Sequence, residues 1–295
     1  MIPRIFFGII SFLAFASPAS AKLNIVATFP WIGSLVQDIG QDKVHVTILV
    51  KPNQDPHCVE AKPNMILKVR RADILMFNGL ELESEYLPVL VESSRNPRVQ
   101  PGSAGYCDCS QFVEVIDRLA MMDRSMGDVH PLGNPHYHFS PKNVFRVTAG
   151  ITEILSRLDR GNENSYRMNF ASFQERFNEK QKHWSGKPLK GKKFLPYHKF
   201  FEYLGHEFGF EILGYIEPKP GIPPSAGHVE KLVEMMKWTK PDAILITIFE
   251  GEKQAHFLSQ KTGVRYIILP HDVGATAEAK DWFSFMDQVL DALIF

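Results

Sequence analysis

Short apolar runs bounded by turn residues alternate with stretches of helical period over most of this chain. In the first half, Leu23 to Phe29, Val44 to Val50 and Ile74 to Phe77 read as strands, with helices over Trp31 to Ile39, Asn64 to Arg71 and Glu83 to Ser93. From Asn143 the period is helical, first to Leu158 and then, past the Asp159-Arg160-Gly161 break, from about Glu163 to Trp184. After Gly186-Lys187-Pro188 the alternation resumes. Strands are expected at Phe194 to Pro196, Glu211 to Ile216, Ala243 to Phe249 and Val264 to Leu269, and helices at Phe200 to Phe208, Ala226 to Trp238, Glu252 to Lys261 and from Lys280 onward. Alternating strands and helices predict an α/β fold with mostly parallel sheets covered on both faces. The architecture that follows is two βα lobes, 22–160 and 187–295, joined by one long rigid helix over 161–186. Tyr166, Phe170, Phe173 and Phe177 recur at helical spacing along that helix, and the pattern predicts an aromatic stripe packed on the core.

The first 21 residues belong to neither lobe. One positive charge at Arg4, an apolar run from Ile5 to Ala16 and the small-x-small triplet Ala19-Ser20-Ala21 make a cleavable secretory signal, too short to span a bilayer. The next residue is Lys22, whereas lipid attachment would need a cysteine there, so the expected location is the periplasm. Balanced charge, 33 basic against 33 acidic residues, gives no attraction for nucleic acid or an anionic membrane. Three cysteines, Cys58, Cys107 and Cys109, meet an oxidising compartment, which predicts a disulfide from Cys58 to one of the other two.

Histidine placement carries the chemistry. His130, His136 and His138 fall within nine residues of Pro- and Gly-punctuated loop, Gly127-Asp128-Val129-His130-Pro131 and Gly133-Asn134-Pro135-His136-Tyr137-His138-Phe139. Neutral imidazole is the commonest side-chain metal ligand. Single candidates occur in similar turns at His57 (Gln54-Asp55-Pro56-His57), His198 (Pro196-Tyr197-His198) and Asp272 (Pro270-His271-Asp272). In open α/β sheets, ligands bind at the carboxyl ends of strands, and His57, His198 and Asp272 each follow a predicted strand. His271, Glu250 and Glu252 stand near enough in sequence to compete for the fourth position. His130 and His138 are expected to shape the loop, and His45, His183, His206, His228 and His256 to lie on solvated faces.

Five ordered motifs resemble one family. Asp55-Pro56-His57 with Lys62-Pro63, Gly133-Asn134-Pro135-His136-Tyr137 with Ser140-Pro141-Lys142-Asn143, Tyr197-His198 with Tyr203-Leu204, Pro224-Ser225-Ala226, and the Asp272 turn are similar to the periplasmic solute-binding proteins of zinc and manganese ABC importers, the ZnuA/TroA-like type. The resemblance implies a metal held between the lobes by His57, His136, His198 and Asp272. It also implies delivery to an ABC importer membrane permease. A periplasmic metallochaperone is expected as a further partner, and the protein is expected to be a monomer. The long His-rich loop of many zinc members is missing here.

Three imidazoles and one carboxylate suit tetrahedral Zn2+, whereas Mn2+ favours more oxygen donors. Four protein ligands close the coordination sphere, which argues for carriage rather than catalysis. A manganese or iron carrier of the same fold is the alternative. A zinc hydrolase lacks an HExxH pairing, and an adhesin-like surface protein lacks the lipid-anchor cysteine.

Overall fold

The computed structural model describes residues 22–118, 130–219 and 221–295. The predicted signal at 1–21 and residues 127–129 of the first histidine run lie outside them. Two four-stranded, all-parallel sheets organise the chain. In the first lobe, strands β1 (Leu23–Ala27), β2 (Val44–Ile48), β3 (Ile74–Phe77) and β4 (Tyr106–Asp108) take the order β2-β1-β3-β4. Helices α1 (Pro30–Gly40), α2 (Pro63–Arg71) and α3 (Leu87–Ser94) form the crossovers. In the second lobe, β5 (Lys193–Pro196), β6 (Glu211–Ile212), β7 (Ala243–Thr247) and β8 (Tyr266–Leu269) take the order β6-β5-β7-β8, with α6 (Glu202–Phe208), α7 (Ala226–Thr239) and α8 (Glu252–Thr262) between them. All four residues of β3 and all five of β7 are buried, as central strands of a parallel sheet covered on both faces must be.

Between the sheets run α4 (Pro141–Leu158) and α5 (Glu163–Ser185), and α9 (Trp282–Ala292) ends the second lobe. Ser140 caps α4, accepting the amide of Asn143 through Oγ, and Pro141 occupies the first helical position, where a missing N–H costs nothing. The 23 residues of α5 contain no Gly or Pro. Tyr166, Phe173 and Phe177 are buried along it, as the aromatic spacing predicts, with Phe170 partly covered. Helix α5 packs against α1, α4 and α9. Helix α9 reaches back to the first lobe: its Trp282 amide donates to Ser34 Oγ on α1 (3.1 Å) and the Trp282 indole N–H to the His138 carbonyl (3.0 Å). One apolar cluster therefore runs from β1 and α1 through Trp184 and Trp282 into β5, while a smaller one around Leu195, Leu232 and Ile246 lies within the second lobe.

One sequence expectation is corrected, and one strand went unforeseen. No disulfide joins Cys58 to Cys107 or Cys109: Cys58 is exposed in the loop beside His57, whereas Cys107 and Cys109 are buried at β4 and hydrogen-bond to each other. The edge strand β4 carries no apolar alternation and was not predicted. Of the histidines expected on solvated faces, His45, His183, His206 and His256 are exposed, and His228 is half-buried with Nε2 3.2 Å from the Tyr215 carbonyl.

Candidate metal centre

Three loops converge between the lobes. His57 lies in the loop after β2, His198 in the loop after β5, and His136 in the segment running into α4. Each imidazole offers a ring nitrogen within 4.8 Å of the others, and among the described residues these three form the cluster able to hold a metal ion. Their ring centroids are 4.9 Å (His57–His198), 5.2 Å (His57–His136) and 5.5 Å (His136–His198) apart. A zinc ion about 2.0–2.1 Å from each nitrogen, with ring centres roughly 1.1 Å farther out, places the centroids of two tetrahedral ligands about 5.2 Å apart. The three rings already stand at that spacing.

Hydrogen bonds fix two of the three rings. His57 Nδ1 lies 3.0 Å from Asp55 Oδ1, which also accepts the His57 amide, and His198 Nδ1 lies 2.5 Å from Glu217 Oε2. A carboxylate on one imidazole nitrogen sets the tautomer and leaves the other lone pair for a metal. Burial alone would raise the Asp55 carboxyl, but the hydrogen bond and charge of His57 outweigh it and hold it down at about 2. His57 Nε2 and both ring nitrogens of His136 are buried without a partner. Buried polar atoms are nearly always satisfied, so His57 Nε2 and one ring nitrogen of His136, unpaired and within 4.8 Å of a His198 nitrogen, are suited to donate to an ion. Desolvation holds His136 well below the ordinary imidazole range and lowers His198 as well, the Glu217 hydrogen bond only partly opposing it, so both rings are neutral and available as ligands.

The His136 loop is braced from both lobes. Asn134 Oδ1 accepts the His136 amide (2.9 Å), while its Nδ2 donates to the Lys199 carbonyl and to Glu202 Oε2 (3.2 Å each). Tyr203 donates its hydroxyl to the Asn134 carbonyl (2.8 Å). Gly133, at φ +124°, is required at its position: a Cβ there would stand 2.0 Å from Val115 Cγ1 and 2.8 Å from the Ile116 carbonyl oxygen. The buried Phe200 ring packs on His136 (4.3 Å), His198 (4.6 Å) and His57 (6.0 Å) and keeps water from that side. A cavity of about 270 Å³, with Phe200 in its wall, opens past His57, His198, Glu217 and Glu250. A groove of about 630 Å³ elsewhere, lined by Ile48, Met65 and several lysines, has no imidazole or carboxylate in its wall.

Asp272 stands outside the three-imidazole cluster. Its Oδ1 accepts the Val273 amide (2.6 Å), and its carboxyl also accepts the Trp31 amide in the first turn of α1, a helix whose own N-cap residue, Phe29, has no side-chain oxygen to give. Asp272 thus caps a helix of the opposite lobe. Burial drives its carboxyl well above the usual range, the two amide bonds only partly opposing that. His138 is buried with Nε2 3.0 Å from the His271 carbonyl and stacks on Trp31 and Phe285, a bracing role. His271 packs edge-on against Phe249 at 4.8 Å. Sequence reasoning missed Glu217, Asn134 and Glu202. Asn134 was visible within the Gly-Asn-Pro-His motif, but Glu217 sits in a loop with no pattern to single it out.

The chain matches the ZnuA family, described as zinc-uptake complex component A, periplasmic, over residues 25–294. It is 25% identical over 283 residues to the high-affinity zinc uptake system protein ZnuA of Bacillus subtilis (strain 168), covering 92% of this chain and 86% of that one. It is 23% identical over 304 residues to the manganese ABC transporter substrate-binding lipoprotein PsaA of Streptococcus anginosus, covering 98% and 95%. The fold superposes on a crystal structure of ZnuA with a TM-score of 0.74 at 23% identity, covering 91% of this chain and 96% of that one. No helix among the described residues is long and apolar enough to cross a membrane. The chain belongs to the ZnuA family of metal-binding substrate-binding proteins of ABC transporters, a family of non-catalytic carriers that serve a membrane permease.

Proposed function

We propose that this protein captures Zn2+ in the periplasm through His57, His136 and His198 and hands it to the permease of an ABC importer. One observation carries the reading: three imidazoles at tetrahedral zinc spacing, with unpartnered nitrogens between them. An all-nitrogen set favours zinc over manganese, which prefers carboxylate and carbonyl oxygen. The unpartnered Glu250 Oε1, on the wall of the same cavity, is the feature that favours the manganese or iron alternative, since it would add an oxygen donor. The protein acts as a monomer, with residues 22–160 and 187–295 as lobes on either side of a 161–186 connector, after removal of residues 1–21. A periplasmic metallochaperone is a further partner in this reading.

Equilibrium dialysis of metal-free protein tests it. One tight zinc per chain is expected, lost in His136→Ala, with manganese bound far more weakly. Two or more tight zincs, none, or a preference for manganese overturns it.

A further inference from the structure

His130 is the one imidazole beside the cluster that neither the bracing of the loop nor the family resemblance uses. Its ring centroid lies 5.4 Å from His57 and 6.3 Å from His136. The first distance falls inside the 4.9–5.5 Å spread of the three clustered rings, and the second exceeds it by less than 1 Å. His130 Nε2 is buried and has no partner. The ring does hydrogen-bond the Leu80 carbonyl, and with Nε2 unpartnered that bond is made by Nδ1. A carbonyl on Nδ1 is the arrangement that aims Nε2 and its lone pair at an ion.

The carbonyl is itself held in a costly conformation. Leu80 (φ 53°) and Glu81 (φ 66°) are consecutive non-glycine residues in the left-handed region, just after β3. Buried Glu83 pins the turn, accepting the Asn78 amide (2.7 Å) and Thr28 hydroxyl (2.7 Å) on Oε1 and the Gly79 amide (3.0 Å) on Oε2. Such strain persists where surrounding contacts over-determine it, as the Glu83 hydrogen bonds do here.

We propose that His130 is a fourth ligand, closing a four-imidazole site around the ion held by His57, His136 and His198. The inference rests on the three-imidazole reading above. His130 lies outside the group whose nitrogens are within 4.8 Å, so ligation requires its ring to move inward toward the other three. Because Leu80 and His130 move the fourth donor from oxygen to nitrogen, the site gains discrimination against ions that favour oxygen ligands.

X-ray absorption of the zinc-loaded wild-type protein counts the imidazoles directly, and zinc competition titrations of His130→Ala and His136→Ala measure the loss. Four imidazole nitrogens are expected in the wild type and three plus an oxygen in His130→Ala. The affinity loss in that variant should exceed the roughly 100-fold ceiling of a residue that acts through another ligand. Three imidazoles and an oxygen in the wild type, or a loss under about tenfold in His130→Ala while His136→Ala abolishes binding, overturns the His130 assignment and leaves the three-ligand site standing. Undiminished binding in His136→Ala would instead sink the three-ligand site itself. If His130→Ala fails to fold, the wild-type imidazole count still decides.

Discussion

Glu217 Oε2 stands 2.5 Å from Nδ1 of His198, each side chain about nine-tenths buried, so a carboxylate nineteen residues downstream sets the orientation of a candidate ligand. Glu217 Oε1 accepts the Gly221 amide as well, which anchors the carboxylate at its other end. Replacing it removes no ligand but frees the ring. Glu217→Gln should lower zinc affinity about 10–100-fold, the range for partners behind a metal ligand, with stoichiometry unchanged. Competition titration against a chelator checks this, and an unaltered affinity would show the pair to be merely structural.

Asp272 separates two roles by measurement. As the cap of α1 it should cost about 0.5–2 kcal/mol of unfolding free energy on replacement by Ala, the span for a lost N-cap. Zinc affinity should change less than tenfold. Denaturant unfolding of the metal-free protein together with zinc titration reads both quantities. Abolished zinc binding with little change in stability would return Asp272 to the ligand set.

Glu202 predicts a pH dependence. Burial raises its carboxyl to about 7 from an ordinary 4.5, the Tyr215 hydroxyl only partly opposing it. The folded state therefore holds this proton more tightly than the unfolded chain. The contribution is complete below about pH 4.5, is lost as pH rises to about 7, and is flat above. Glu202→Gln is neutral throughout, so its stability relative to wild type should rise between pH 5 and pH 8 by on the order of 2–3 kcal/mol. Urea unfolding of both metal-free proteins at the two pH values tests this, and a pH-independent difference contradicts it.

Gly133→Ala should damage stability and binding together. The new methyl group meets Val115 and the Ile116 carbonyl, and the loop that must yield carries His136 three residues on. A loss above about 1 kcal/mol is expected from forcing a side chain into this backbone conformation, along with weakened zinc binding. Thermal melting with and without zinc reveals both effects; a variant that keeps wild-type values in each shows that the loop relaxes freely.

The sequence pattern made the central elements legible because burial writes itself into periodicity. The helix expected over Glu163 to Trp184 is Glu163–Ser185, and the continuous apolar run near Ala243 is the fully buried β7. His57, His136 and His198 were readable because Pro and Gly punctuate their loops and strand ends set their place. Elements held by tertiary pairing alone left no such trace. Strand β4 has three residues, Tyr-Cys-Asp, paired only at the sheet edge, and β6 shrinks to Glu211–Ile212 from the six residues expected. The role of Asp272 was hidden for a related reason, since the amide it caps, that of Trp31, lies in the opposite lobe. The disulfide expectation failed because cysteine count and compartment carry no information about where Cys58 ends up relative to β4.

The hydrogen bond from Trp282 to Ser34 joins residues 248 positions apart, and it bears on how the chain comes to be folded. Until α9 arrives, the Ser34 hydroxyl on α1 lacks this donor, and the α5 rings of Phe173 and Trp184 lack Phe283 and Trp282 to pack on. Contacts of such long sequence separation slow folding and leave apolar surface uncovered meanwhile. Trp184 and Phe173 are the large rings left partly uncovered in that interval, which exposes the unfinished chain to off-pathway association. A chain shortened before Trp282 would leave the α5 rings of Phe173 and Trp184 without their α9 partners.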